Sequence, residues 1–211
     1  MPSKIKILLC DDHTIFRMGI QRILERHTTF KILGGYSTGE EVLSALETLN
    51  PDVLITDISM EGVSGIDLIK QIHEKNSSVK LLALSMHPED IYGIRAIKAG
   101  ASAYLRKDCP EEQLVEAIHT LARGERYFTP RINDILLNEL SKKDGEPHEL
   151  LSDREFEVLI LLGKGQTTNE IAHTLYLSPK TISTYKKRIC EKLSLTNIAE
   201  LINYVNKFNL V

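Results

Sequence analysis

From residue 4 to residue 122 the chain alternates between two textures. Short apolar runs rich in β-branched side chains occur at Ile5–Cys10, Phe30–Leu33, Val53–Thr56, Val79–Leu84 and Ala101–Leu105. Such unbroken runs suit strands buried on both faces. Between them apolar residues recur every three or four positions, as in Val42, Leu43, Leu46 and Leu49, in Ile66, Leu68, Ile69 and Ile72, and in Leu114, Val115, Ile118 and Leu121. That spacing predicts helices. Five strands alternating with five helices predict a doubly wound five-stranded parallel α/β sheet, because parallel neighbours need crossover connections. Pro51, Pro88 and Pro110 each fall where a new element should begin.

After Gly124 the texture changes. Thr129-Pro130 reads as an N-cap followed by proline at the first helical position, opening a short helix through Ile132, Ile135, Leu136 and Leu140. The polar stretch Ser141–Pro147, broken by Gly and Pro, reads as a linker. From Leu150 onward every apolar stretch has helical period. Ser152-Asp153-Arg154-Glu155 has the form of a capping box. Thr167 or Thr168 caps a short helix that turns Ile171, Ala172 and Leu175 inward. Ser178-Pro179 opens a longer helix to Leu193, and Thr196 caps a last one bearing Ile198, Leu201, Ile202 and Val205. The expected organisation is an α/β domain over 1–123, a connector with a short helix over 124–149, and an all-α domain over 150–211.

Composition agrees with two small folded domains. Of 211 residues, 42% are apolar and 26% charged, which places the chain among globular proteins. The longest unbroken apolar run, Val158–Leu162, falls far short of the ~20 residues that span a bilayer, so no membrane association is expected. The run Ile5–Cys10 ends in Asp11-Asp12 and does not read as a secretory leader. Cys10, Cys109 and Cys190 are far apart and form no CxxC pair, which points to a reducing cytoplasm. The net charge of −3 hides an asymmetry: residues 1–123 carry 14 basic and 17 acidic side chains, whereas residues 150–211 carry 8 and 6. Five of those bases, Lys180, Lys186, Lys187, Arg188 and Lys192, lie between Ser178 and Leu193. An acidic front and a locally basic back suggest modules with different partners.

In an open parallel sheet, ligands bind at the carboxyl ends of the strands. The first apolar run ends in Asp11-Asp12, the third in Asp57 and the fourth in Ser85, and Lys107 follows the fifth. Each residue alone is an ordinary cap or turn. Together, and in order, they converge three carboxylates, a hydroxyl and an ammonium on one rim. Three carboxylates call for a cation, and an all-oxygen donor set favours Mg²⁺. With one carboxylate as nucleophile, the ion and Lys107 would neutralise charge on a transferring phosphoryl group, which suits formation of an aspartyl phosphate.

In the back half, ~100° per residue puts Ile182, Tyr185, Ile189 and Leu193 on one helix face. Lys180, Thr184, Lys187 and Glu191 fall opposite, flanked by Ser183 and Arg188. A short helix, a tight turn and a longer helix with cations and small hydroxyls on its free face describe a helix-turn-helix that suits a DNA major groove.

On these residues the sequence resembles bacterial two-component response regulators of the NarL/FixJ type. Residues 4–122, with Asp11-Asp12, Asp57, Ser85 and Lys107, resemble the receiver domain. Residues 151–205, with Leu151-Ser152-Asp153-Arg154-Glu155, Asn169-Glu170-Ile171-Ala172 and Leu177-Ser178-Pro179-Lys180-Thr181-Ile182, resemble the LuxR-type domain. The resemblance implies a transcription factor rather than an enzyme, with only slow self-phosphorylation and dephosphorylation at Asp57. It implies that Asp57 accepts phosphate from a cognate histidine kinase or phosphorelay protein, and that Asp12, Asp57 and the backbone carbonyl of Ser59 bind Mg²⁺ with Asp11 assisting through water. It implies that Ser85 and Tyr104 form a switch pair, although an aromatic at that place is also compatible with plain packing. Lys180, Thr181, Ser183, Thr184, Lys187 and Arg188 become the expected contacts to double-stranded DNA. The last helix either forms a homodimer on activation or packs in the core. Two departures stand out: Glu61 replaces a frequent proline, and Ser85 the commoner threonine. Ser59 and His87 occupy positions that tune dephosphorylation in the family. A Mg²⁺-dependent phosphohydrolase would usually carry a second Asp where Ser59 stands. A phosphorylation-independent DNA binder would dimerise equally well as Asp57→Asn.

Overall fold

The computed structural model describes residues 3–60, 62–75, 78–141 and 146–211. It divides into two units, Met1–Ser141 and Lys142–Val211. In the first, the apolar runs become five parallel strands: β1 (Ile5–Cys10), β2 (Phe30–Tyr36), β3 (Val53–Asp57), β4 (Lys80–Ser85) and β5 (Ala103–Arg106). Their spatial order is β2-β1-β3-β4-β5. The order therefore reverses between β1 and β3, and the crevice at that switch point opens beyond Cys10 and Asp57.

Four helices connect the strands, α1 (Thr14–Glu25), α2 (Gly39–Ala45), α3 (Gly65–Glu74) and α4 (Glu89–Ala99), and α5 (Glu111–Ala122) follows the last strand. Alternate strand residues serve opposite faces. Ile7, Leu9, Ile55, Leu82, Leu84 and Leu105 form one core with Leu24 of α1 and Leu114, Ile118 and Leu121 of α5. Leu8 and Leu54 are fully buried on the other side. The second helix is shorter than its apolar spacing suggests. It stops at Ala45, and the amides of Glu47 and Thr48 bond only three residues back. That tightened turn leaves Leu49 outside the helix, just before the Asn50-Pro51 step that disfavours helical backbone.

The helix expected between the two domains is present as α6 (Pro130–Ser141), and it packs on α4. Thr129 caps it, its hydroxyl accepting from the Ile132 amide and donating to Glu89 Oε2 at 2.8 Å. The Arg131 guanidinium meets Asp90 at 2.6 Å. Ile132 is fully buried and reaches the space a side chain at Gly93 would fill. Upstream, Tyr127 makes an isolated parallel bridge to Ala103.

The second unit is helical. A 3-10 turn (Pro147–Leu150) precedes α7 (Asp153–Gly163), α8 (Thr168–Thr174), α9 (Pro179–Leu193) and α10 (Ile198–Lys207). Capping boxes start α7 (Ser152 with Glu155) and α8 (Thr167 with Glu170), and Ser178 caps α9. The cap of α10 is Asn197, one residue beyond the expected Thr196. Asn197 Oδ1 accepts from the Glu200 amide, while the Thr196 amide and hydroxyl are both taken by the Glu200 carboxylate. Phe156, Val158, Leu159, Ile182, Ile189, Leu201 and Val205 make the core. Among the described residues no helix is long and apolar enough to cross a membrane.

Candidate functional site

Strand order alone brings the acidic residues together. Asp11 follows β1, Asp57 ends the adjacent β3, and Ser85 ends β4. The loop after β5 is tied back by the Lys107 amide, which donates to the Ser85 carbonyl at 2.7 Å. Lys107 then points into the crevice. Its ammonium lies 2.7 Å from Asp11 Oδ2 and 2.7 Å from Asp57 Oδ2, with only 5% of the side chain exposed. The Ser59 amide donates to the other Asp57 oxygen at 3.2 Å. Ligand atoms of Asp11, Asp12, His13 and Asp57 all lie within 4.8 Å of one another.

One ammonium faces three carboxylates here, so the cluster keeps an excess of negative charge. Burial pushes the Asp57 carboxyl up to about 6 in spite of Lys107, and the charge of Asp11 works in the same direction. Burial acts to lower the Lys107 ammonium, but Asp57 and Asp11 outweigh it and hold its pKa above the ordinary lysine value.

Ser85 and Tyr104 are fully buried and meet at one backbone segment. Ser85 Oγ accepts from the His87 amide at 3.0 Å, and the Tyr104 hydroxyl donates to the His87 carbonyl at 2.9 Å. Burial raises the Tyr104 phenol well above its ordinary value, with Ser85 opposing. The His87 ring stacks on Tyr92 of α4 at 4.3 Å between centroids, and its Nε2 lies 2.9 Å from Ser59 Oγ. The ends of β3, β4 and β5 are thus linked to the start of α4. Glu61 lies outside the described residues.

Three residues the sequence reading did not single out belong to this site. Phe16 places its ring under Lys107, 4.6 Å from ammonium to centroid. Arg17 bonds the backbone carbonyl of Asp11. Gly65 begins α3 so close to Asp57 that a Cβ would lie 1.7 Å from the Asp57 carbonyl oxygen. Phe16 and Arg17 lie in the first turn of the helix that follows the acidic pair, and that nearness in sequence is the signal that could have found them. The contact at Gly65 depends on how α3 returns to β3 and has no local signal.

In the second unit, α9 divides as its periodicity requires. Ile182, Ile189 and Leu193 are buried, whereas Lys180, Ser183, Thr184, Lys187 and Arg188 are exposed. Thr181 is half-buried, its hydroxyl 2.8 Å from Ser178 Oγ and its amide donating to the same oxygen. The Ser183 and Thr184 hydroxyls donate to the carbonyls of Pro179 and Lys180. Buried Glu155 holds Lys192 at 2.6 Å. Burial would raise its carboxyl, yet Lys192 and the Ser152 amide hold it below the ordinary range. The apolar face of α10 is split. Leu201 and Val205 are fully buried, but Ile198 is 40% exposed and Ile202 is half-buried.

Comparison with known proteins gives the same division. Residues 7–119 match the response regulator receiver domain, and residues 149–205 match the bacterial regulatory proteins of the luxR family. The chain is 34% identical over 208 residues to the response regulator UvrY of Escherichia coli, covering 98% of this chain and 95% of that one. It is 34% identical over 215 residues to the oxygen regulatory protein NreC of Staphylococcus carnosus, covering 98% and 99%. Its fold matches RcsB from Salmonella enterica serovar Typhimurium, bound to a promoter in the presence of a phosphomimetic, with a TM-score of 0.60, 29% identity, and 96% and 98% of the two chains covered. With the acidic crevice in one unit and the helix-turn-helix in the other, the chain belongs to the two-component response regulators of the NarL/FixJ type, transcription regulators that join a receiver to a LuxR-type DNA-binding domain.

Proposed function

We propose that Asp57 is the phosphoacceptor and that its phosphorylation, by a cognate histidine kinase or phosphorelay protein, controls dimerisation and sequence-specific DNA binding. The domains would be 1–123 as receiver, 124–149 as connector and 150–211 as output. The observation that carries this reading is the Lys107 ammonium, shared between Asp11 and Asp57 at 2.7 Å in a buried crevice at the switch point of the sheet.

A carboxylate oxygen of Asp57 attacks the phosphorus of a phosphohistidine. The O–P bond forms as the P–N bond breaks, and the electron pair of that bond stays on the imidazole. A small acyl phosphate serves equally as donor, with a carboxylate leaving, so slow self-phosphorylation fits the same site. Lys107 meets the charge that gathers on the phosphoryl oxygens, and Ser85 supplies a hydroxyl at the neighbouring strand end. The excess negative charge and all-oxygen donors of Asp11, Asp12, Asp57 and the Ser59 carbonyl fit Mg²⁺. When bound, the ion neutralises part of the charge on the transferring group. Ser85 and Tyr104 both grip His87 at the start of α4, and this supports their role as the switch that carries the modification outward.

Lys180, Thr181, Ser183, Thr184, Lys187 and Arg188 are the proposed DNA contacts on α9, and Ile198 and Ile202 the apolar stripe through which two copies pair. The RcsB complex with a promoter supports the DNA assignment. Action on DNA and a set of free cysteines support a cytoplasmic location. Intact mass after incubation with Mg²⁺ and acetyl phosphate tests the reading. Wild type gains one phosphoryl group and shifts towards dimer, and Asp57→Asn does neither. A folded wild type that gains none overturns it.

A further inference from the structure

We propose that Phe16 is a positioning residue for phosphoryl transfer: the face of its ring holds the Lys107 ammonium at the point between Asp11 and Asp57. The inference rests on Asp57 being the phosphoacceptor. An ammonium has three N–H donors. Two approach carboxylate oxygens at 2.7 Å, and the Phe16 ring lies 4.6 Å from the same nitrogen, within the range where the negative face of a ring attracts a cation. With the Lys107 side chain 5% exposed, water contributes little, so the ring supplies a side of the cation's surroundings that solvent does not.

The ring is held in turn. It sits in the first turn of α1, partly buried against the core that α1 and α5 share, and its neighbour Arg17 fastens that turn to the Asp11 carbonyl. The ammonium is therefore held by two kinds of partner, the carboxylates of Asp11 and Asp57 and the π face of Phe16. This matters most at the step itself. As Asp57 forms its bond to phosphorus it gives up carboxylate charge, and the pull that held Lys107 towards it weakens. The ring face does not change during the reaction and keeps the cation where the phosphoryl oxygens arrive.

The test separates electrostatics from packing. Phe16 is replaced by mono-, di- and trifluorinated phenylalanines, which drain the ring face stepwise with nearly constant shape, and by leucine in Phe16→Leu. Phosphorylation by acetyl phosphate with Mg²⁺ is followed by intact mass beside wild type and Asp57→Asn, and urea unfolding is measured on each variant. The logarithm of the rate should fall steadily with the number of fluorines while the unfolding midpoint stays nearly constant. The total loss at the trifluoro or leucine variant should lie between about 2-fold and about 30-fold, the span of a cation–π contact from exposed to desolvated. Phosphorylation of wild type with rates indifferent to fluorine number, or falling only as stability falls, overturns this proposal and leaves Asp57 in place. Absence of phosphorylation in folded wild type overturns both.

Discussion

Gly65 sets how closely α3 can approach the proposed phosphoacceptor, and Gly65→Ala measures that closeness. The added Cβ would stand 1.7 Å from the Asp57 carbonyl oxygen and 2.7 Å from both the Asp57 carbonyl carbon and Ile58 Cα. Carbon–oxygen contacts settle near 3.3 Å, so the two backbones must part by about 1.5 Å. The three nearest atoms are all main chain, so relief cannot come from a flexible side chain. Overpacking ordinarily costs about 1–3 kcal/mol, and this site belongs at the top of that range or beyond. The displaced backbone is that of the proposed nucleophile, and a misplacement of ~1 Å costs on the order of 100-fold in rate. Urea unfolding and phosphorylation by acetyl phosphate read the two effects separately. Gly19→Ala is the control, since nothing lies within 4 Å of its Cβ and it sits inside α1. It should stabilise by about 0.5–1 kcal/mol. If Gly65→Ala unfolds within about 0.5 kcal/mol of wild type and is phosphorylated at the wild-type rate, the close approach is not a constraint and the reasoning fails.

Other perturbations probe other parts of the chain. Ile132→Ala removes a fully buried side chain from the α4–α6 contact and should cost about 2–5 kcal/mol in urea unfolding of the first unit. A loss below about 0.5 kcal/mol would mean that α6 is not docked. Without divalent metal, the Asp57 carboxyl should titrate near 6 by carbon NMR and move down when Mg²⁺ is added. Its folded pKa stands above the ordinary value of 3.8, so the native state takes up the proton first. This group therefore adds stability as pH falls from about 6 towards 3.8, a component that Asp57→Asn must lack. Lys187→Ala, on the exposed face of α9, should weaken DNA binding across sequences and reduce the salt slope by about one, as read from affinities over a range of salt. An unchanged slope would remove Lys187 from the phosphate contacts.

The parts legible in the sequence are those with a local cause. Unbroken apolar runs marked the five strands and period-3.6 spacing marked the α-helices, and the strand-end rule collects Asp11, Asp57, Ser85 and Lys107 from the sequence alone. Ser152 with Glu155 announced its helix start because both halves of the box lie within four residues. The last helix shows the limit of that logic: Thr196 reads as its cap, but Asn197 is the cap, because the Thr196 hydroxyl is bonded to the Glu200 carboxylate while Asn197 Oδ1 accepts from the Glu200 amide. The docking of α6 on α4 was not legible, since it depends on Gly93 offering a gap to Ile132, far along the chain. Phe16 was not legible either, for nothing local says that an ammonium lies over its ring.

The Tyr127 bridge bears on how the folded chain meets other copies of itself. A five-stranded sheet has two margins, each a row of backbone groups able to recruit a foreign strand. At β5 the strand is only four residues long, and its outer side is met at Ala103 by Tyr127, whose amide donates to the Ser102 carbonyl at 3.0 Å. The other margin, β2, shifts register between its pairings with Ile7 and Leu8, where Gly34 follows, and such a break interrupts the even ladder that a foreign strand needs. Strand-to-strand pairing of the native unit is therefore hindered at one margin, where Tyr127 covers Ala103, and at the other by the register shift at Gly34, so removing the chain from Tyr127 onward would uncover the backbone of β5 at Ala103.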